Sequence, residues 1–472
     1  MNRVITFALG ATVLGATLAS LPSCSDKGSP TTEAPSVANP NTIQIGLVLS
    51  LSGSLATGDD AKQGAETAVA QINALGGILG KTIVLKEVDD QSDANVARTK
   101  IDDLMTQGVS LVIGPSTNAS AAAIKDLIVA NKLLAISPSA TSTVLDNLTD
   151  AGTASTVAAN SPAGTTPVFL RTAATDNFLA TAIAQYASDI VTNGTVTAKR
   201  CPKITIVSET DDYGTPIAAS VKRSYIALGL GISKEVGLDP DVTNSSKLDS
   251  AASQSINAID ATCQIVIAQP KVAGAYMLAF QRYQKLNPAV RDYGAYLTIG
   301  GDGLRNASFI QAARNDQADK TSPSAGENAF TIAADTAPEA EFSTQDFSAF
   351  SNLYQAQFPG ADVGRYASTA YDAVVLLAGA IQRANTTTDI VSLRQTIYKI
   401  SQGRKIVGPS SMTDYVQALE HGDDINYEGA SGSCDFLSTG TVRSDFAVWQ
   451  IVGSAYVRRS TISANVLSSA QN

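Results

Sequence analysis

A chain of 472 residues, 44% hydrophobic and only 16% charged, carries more apolar mass than one core normally organises, since single cores stop growing at roughly 250–300 residues. Its 33 basic and 43 acidic residues leave a net charge of −10. No basic run offers an electrostatic footprint for a phosphate backbone, which excludes nucleic acid as a partner. One histidine and four scattered cysteines are too few for a zinc site, and no metal or cofactor is expected.

At the start, Arg3 precedes an apolar stretch over 4–18, which reads as an export signal ending by residue 23. The stretch is too short to span a bilayer, and no later one reaches about 20 apolar residues. Leu21-Pro22-Ser23-Cys24 resembles a bacterial lipobox. The resemblance implies diacylation of Cys24 and an exported protein of the periplasm or cell envelope, anchored through lipid. Pro22 departs from the residue usual there, and ordinary cleavage near Ala19 is the alternative. Residues 24–41, rich in Ser, Pro and Thr, read as a disordered tether.

Apolar runs at 43–49, 82–88, 111–113 and 133–136 predict strands buried on both faces of a parallel sheet. Between the first two, Ala61, Gly64, Ala65, Ala68, Val69, Ile72 and Leu75 recur at helical spacing and form one apolar stripe. Each strand ends in small polar residues: Ser50 and Ser52, Asp89 and Asp90, Ser116 to Asn118, and Ser137 to Thr141. In open α/β sheets the ligand crevice lies beyond such ends. A helix starting near Ala119 would offer unpaired N–H groups to a carboxylate.

Residues 142–167 lose all periodicity and read as a long loop. The βαβ pattern then restarts, with a helix over 178–191, strands at 204–207, 265–268 and 296–299, and helices over 216–228 and 273–286. This predicts a second α/β lobe, with Glu209 to Tyr213 and Gly300-Gly301-Asp302 at its strand ends. Cys201 and Cys263 each precede a strand, which allows a disulfide if those strands are neighbours. Cys434 is left as a free thiol or an alternative partner. Gly80-Lys81-Thr82 lacks the spacing of a phosphate loop, and residues 89–93 lack the Gly and Glu of a calcium loop. His421 is expected in a loop with no nucleophile elbow to serve, so catalysis is not expected. Trp449 reads as strand packing.

Several segments together carry a family resemblance: 45–53, Asn-Ala-Leu-Gly-Gly-Ile-Leu-Gly at 73–80, Asp89-Asp90, 112–116, Ser137-Pro138, Arg171-Thr172, Asp212-Tyr213-Gly214, Gly301-Asp302-Gly303, Tyr371-Asp372-Ala373 and 427–436. In order and spacing they resemble the branched-chain amino acid binding proteins, receptors for ABC importers. The resemblance implies a type I periplasmic binding fold: two Rossmann-like α/β lobes with mostly parallel central sheets, joined by three crossings near Ala174, Ala334 and Val442. One lobe would comprise 42–174 plus 335–442, the other 175–334 plus 443–472. It also implies an extracytoplasmic solute receptor working with permease and ATPase subunits, closing on an amino acid or related amide. A sensor lipoprotein acting through a signalling partner is the alternative.

By the same resemblance, Asn118 and Thr141 would bind the ligand carboxylate, Ser139 would accept from the ammonium, and Asp302 would pair with it. Tyr213 would cover the ligand and Tyr366 would add aromatic surface. Gly58, and Pro270 or Lys271, stand where relatives have aromatic residues. This implies a wider or more polar side-chain pocket, open to amides and urea-like ligands.

Overall fold

The computed structural model describes residues 39–469, apart from 54, 57, 147, 149–166, 194, 195, 242, 243, 291–295, 315–323 and 339. The expected export signal, Cys24, nearly all of the expected tether and most of the loop expected over 142–167 lie outside the described residues.

Strands β1 (Thr42–Leu49), β2 (Thr82–Asp89), β3 (Leu111–Ile113), β4 (Leu134–Ser137) and β5 (Leu170–Arg171) form a parallel sheet in the order β2-β1-β3-β4-β5. Successive side chains of a strand point to opposite faces, and both faces of β1 are covered. Ile45, Leu47 and Leu49 pack with the helices Asp59–Ala74 and Arg365–Ala384. Val48 packs on the other side with Ile101, Leu104 and Ile128. β2 departs from the expectation of a strand buried on both faces. It is an edge strand paired only with β1, and Val84 is exposed.

The two covering helices meet closely. A Cβ on Gly64 would lie 1.9 Å from the carbonyl oxygen of Ala367, so only glycine allows this approach. From residue 367 to 381 the second helix is buried throughout, and its first residues, Arg365 and Tyr366, project at the end of the sheet where the strand carboxyl ends lie.

The second lobe starts with the helix Asp176–Ser188 and a hairpin of β6 (Ile190–Asn193) and β7 (Val196–Lys199). A helix over 178–191 was the expectation. The helix instead stops at Ser188, and its last expected residues form β6. Strands β8 (Lys203–Glu209), β9 (Gly231–Leu238), β10 (Cys263–Ile267), β11 (Leu297–Gly300) and β12 (Phe330–Ala334) are mutually parallel. A small sheet of β13 (Lys405–Val407), β14 (Ile425–Gly429) and β15 (Gly432–Ser433) packs onto the first lobe. The antiparallel pair β16 (Phe446–Val452) and β17 (Ala455–Ile462) completes the second sheet, in the order β17-β16-β12-β11-β10-β8-β9.

β8 and β10 are neighbours, and a disulfide joins Cys201 to Cys263 with their Cα atoms 5.6 Å apart. Cys434 is a buried free thiol. Trp449 is buried on β16. His421 is not in a loop but is the last residue of the helix Met412–His421, which Gly422 terminates at φ 78°. No helix among the described residues is long and apolar enough to cross a membrane.

The chain passes between the sheets three times, after β5, after β12 and before β16. The three passages are tied together. Thr441 donates from its hydroxyl to the carbonyl of Ala173 (3.0 Å), Thr172 donates to that of Thr369 (2.7 Å), and the Asp335 N–H donates to that of Asp445 (2.9 Å).

Candidate functional site

Beside these passages lies a cleft lined from both lobes, with Thr141, Arg365 and Tyr366 on one side and Asp176, Asp302 and Phe446 on the other. Asp302 opens a short 3₁₀ turn after Gly300 and Gly301 at the end of β11. Its Oδ1 accepts from the Tyr213 hydroxyl at 2.5 Å, and its Oδ2 lies 3.1 Å from Arg365 Nη1. That ion pair crosses the cleft from one lobe to the other. Arg365 also donates from Nη2 to the Tyr366 hydroxyl (2.6 Å), with its guanidinium 4.7 Å from the centre of that ring. Burial alone would lower the Arg365 pKa, but Tyr366, Asp302 and Tyr213 raise it, so the group is a fixed positive charge.

Asp60 holds the Arg365–Ala384 helix start in place. No side chain of the N-cap residue, Gly364, can satisfy the first N–H groups, and Asp60 Oδ2 accepts from the Tyr366 N–H at 3.0 Å instead. Burial raises the Asp60 pKa against the opposing pull of this bond and of Arg365.

Thr141 sits in a loop fixed by Arg171, whose side chain is fully buried. Arg171 donates to the carbonyls of Ala140 (3.2 Å) and Ser142 (2.8 Å) and pairs with Asp146. Asn118 braces the same loop: its Oδ1 accepts from the N–H groups of Thr141 (2.8 Å) and Ser142 (2.9 Å). Ser139 donates to the carbonyl of Ser116 (2.8 Å). Asn118 and Ser139 therefore lie next to Thr141 but spend these oxygens on the loop itself. The helix expected to follow Asn118 is Asn118–Ala122, five residues long and capped by Thr117, with a break before Lys125–Val129. So short a helix contributes little dipole to a carboxylate.

Asp176 was not anticipated from the sequence. It occupies the first turn of the helix Asp176–Ser188, is 3% exposed, and its Oδ2 has no hydrogen-bond partner. Burial raises its pKa to about 7. A hydrogen bond from Thr141 opposes the shift, while the nearby negative charge of Asp302 adds to it. Two carboxylates and one guanidinium thus share the cleft, and burial raises the pKa of one carboxylate, Asp176, although Arg171 pulls it down. Arg365 was also missed: in sequence it stands alone ahead of an apolar helix, with nothing local to link it to Asp302.

The profile of the family described as "Receptor family ligand binding region" matches residues 60–454, a span that holds every cleft residue named above. The chain belongs to that family. Among its relatives is the Leu/Ile/Val-binding protein BraC3 of Rhizobium johnstonii, 28% identical over 350 residues that cover 74% of this chain and 81% of the relative. The branched-chain amino acid transporter substrate binding protein LivJ of Streptococcus pneumoniae, solved with isoleucine, superposes with a TM-score of 0.63 at 22% identity. It covers 89% of this chain and 100% of LivJ. A solute binding protein of an ABC transporter from Rhodopseudomonas palustris, solved with 3,4-dihydroxy benzoic acid, gives 0.61 at 17% identity over 90% and 98%. These likenesses establish the type I periplasmic binding fold for this family member.

Proposed function

We infer that the protein is the solute-binding receptor of an ABC importer, closing its two lobes on an amino acid or a related small polar ligand. Family membership supports the receptor class, and the amino acid head group is supported by one observation. Asp302 and Asp176, whose buried Oδ2 has no hydrogen-bond partner, line the same cleft as Thr141. A ligand ammonium placed between the two carboxylates would supply a counter-charge to the buried Asp176 and offset its repulsion with Asp302. Tyr213 and Tyr366 would flank it. Closure would exclude water, strengthen the charged contacts and create the shape a permease recognises. The ligand would leave unchanged, without turnover. The solved structures named above are transporter binding proteins, which leaves the signalling alternative without support.

Export by the segment before residue 23 and lipid anchoring at Cys24 belong to the same reading. Cys24→Ser is expected to move the exported protein from the detergent phase to the aqueous phase in a partition experiment.

Thermal unfolding against amino acids, small amides and urea tests the ligand. A ligand at about 100 times its Kd stabilises by about 2.7 kcal/mol, which raises Tm by about 3 °C in a chain of this size. A shift with a set of related amino acids is expected. No shift with any α-amino acid would sink the amino acid reading and leave the receptor fold untouched.

A further inference from the structure

Several donors of the lobe-one side of the cleft are spent within the protein. The Thr141 and Ser142 N–H groups donate to Asn118 Oδ1, and the Ser139 hydroxyl donates to the carbonyl of Ser116. Two further hydroxyls of the cleft wall donate to backbone: Thr336 to the carbonyl of Arg365 (2.7 Å) and Thr369 to that of Tyr366 (3.1 Å). Thr141 serves Asp176. Among the described residues that line the cleft, the one cation is Arg365.

Resting on the amino acid function proposed above, we propose that Arg365 is the carboxylate anchor, and that the ligand is a zwitterion inserted into the Arg365–Asp302 pair. The guanidinium pairs with Asp302 across the lobes at 3.1 Å. An entering ammonium takes over that neutralisation from the lobe-two side, and the released guanidinium turns its fork to the carboxylate of the same molecule. Arg365 has the reach for this, since its side chain is anchored only through Tyr366 and Asp302 and is 29% exposed. A planar fork matches a carboxylate in two parallel hydrogen bonds, which hydroxyl donors cannot do. The cleft therefore selects for both charges at once. A free amine would meet Asp302 but strand the guanidinium, and a simple carboxylate would meet Arg365 but strand Asp302.

The test compares the best-binding proteinogenic L-amino acid with its own α-carboxamide, which keeps the ammonium and loses the negative charge. Affinities are measured by calorimetry for the unaltered protein, Arg365→Gln and Arg365→Lys. Arg365→Gln is expected to weaken the amino acid about thirtyfold or more while the carboxamide binds as tightly or more tightly, since no guanidinium is then stranded, with Arg365→Lys in between for the amino acid. The ligand-free Tm of each variant separates loss of folding from loss of binding. If Arg365→Gln binds the amino acid as tightly as before, or more tightly, Arg365 is only a closing contact and the anchor is overturned while the amino acid function stands. If the unaltered protein binds no amino acid, both are overturned together.

Discussion

Asp176 sets the pH behaviour of the cleft. With its pKa raised from 3.8 to about 7 by burial, the folded state holds a proton that the unfolded chain has lost. Stability contributed by this group is therefore present below about pH 4 and declines as pH rises towards 7. The penalty at higher pH is on the order of 4 kcal/mol, and the side chain is too buried for solvent to screen it away. Asp176→Asn cannot ionise, so its ligand-free form should unfold at a higher temperature than the parent at pH 8 and at nearly the same temperature at pH 4. A difference that does not change with pH would remove the titration of Asp176 as its cause. Binding an ammonium beside Asp176 would expel that proton, so affinity for an amino acid should rise between pH 5 and 7 and level off above. Asp302→Ala should weaken binding by about 2–5 kcal/mol without unfolding the protein. Unchanged affinity would remove Asp302 from the site. At this scale the sequence pointed to Thr141, Tyr213 and Asp302, each beside a strand end, and to Tyr366 by resemblance alone; the structure brings these four to the cleft or its edge. Asp176 and Arg365 were illegible because their roles come from each other's neighbourhood: Thr141, Asp176, Asp302 and Arg365 converge from four separate stretches of chain. Asn118 has a second part that its residue type alone did not reveal, since its amide oxygen braces a loop 23 residues away.

Among the elements, the buried strands of the first lobe were easy to read, because runs such as Ile-Gln-Ile-Gly-Leu-Val-Leu suit a sheet covered on both faces. Edge position left one trace in the sequence: the apolar run of β2 is broken by Lys86 and Glu87, where β1 continues with Gly46 and Leu47. The end of the helix Asp176–Ser188 was also missed, as Ile190 and Val191 continue an apolar pattern that a strand uses equally well. The contact at Gly64 makes a sharp prediction. Gly64→Ala must push the Asp59–Ala74 helix off the carbonyl of Ala367, costing roughly 1–3 kcal/mol and displacing Arg365 and Tyr366. Both Tm and ligand affinity should fall, and a variant with normal values for both would show that the helices can separate freely. The bond between Cys201 and Cys263 closes a loop of 62 residues. By chain entropy that contributes at most about 4 kcal/mol, so the double Cys→Ser variant should melt up to about 4 °C lower. An unaltered Tm would mean that the unfolded chain gains no freedom from losing the bond.

For the whole molecule, two sheets with separate cores are joined by three neighbouring passages, and an Arg365–Asp302 pair spans the cleft beside them. The gross two-lobe plan was legible because the βαβ rhythm stops at residue 142 and restarts after residue 167. The small sheet of β13 to β15 was not, since its strands are too short to show a period. Interleaving has a further effect on the order of assembly. The first sheet is synthesised by residue 171, yet the Arg365–Ala384 helix that seals one of its faces comes almost two hundred residues later. β12 likewise has an unpaired edge until β16 emerges at Phe446. Neither half can therefore finish folding before these later segments have been made. A nascent chain that stays open until Phe446 has been made is threadable through a narrow channel during the synthesis of both sheets' earlier strands. Ending it before β16 should leave a protein that exposes the β12 edge and aggregates rather than melting cooperatively.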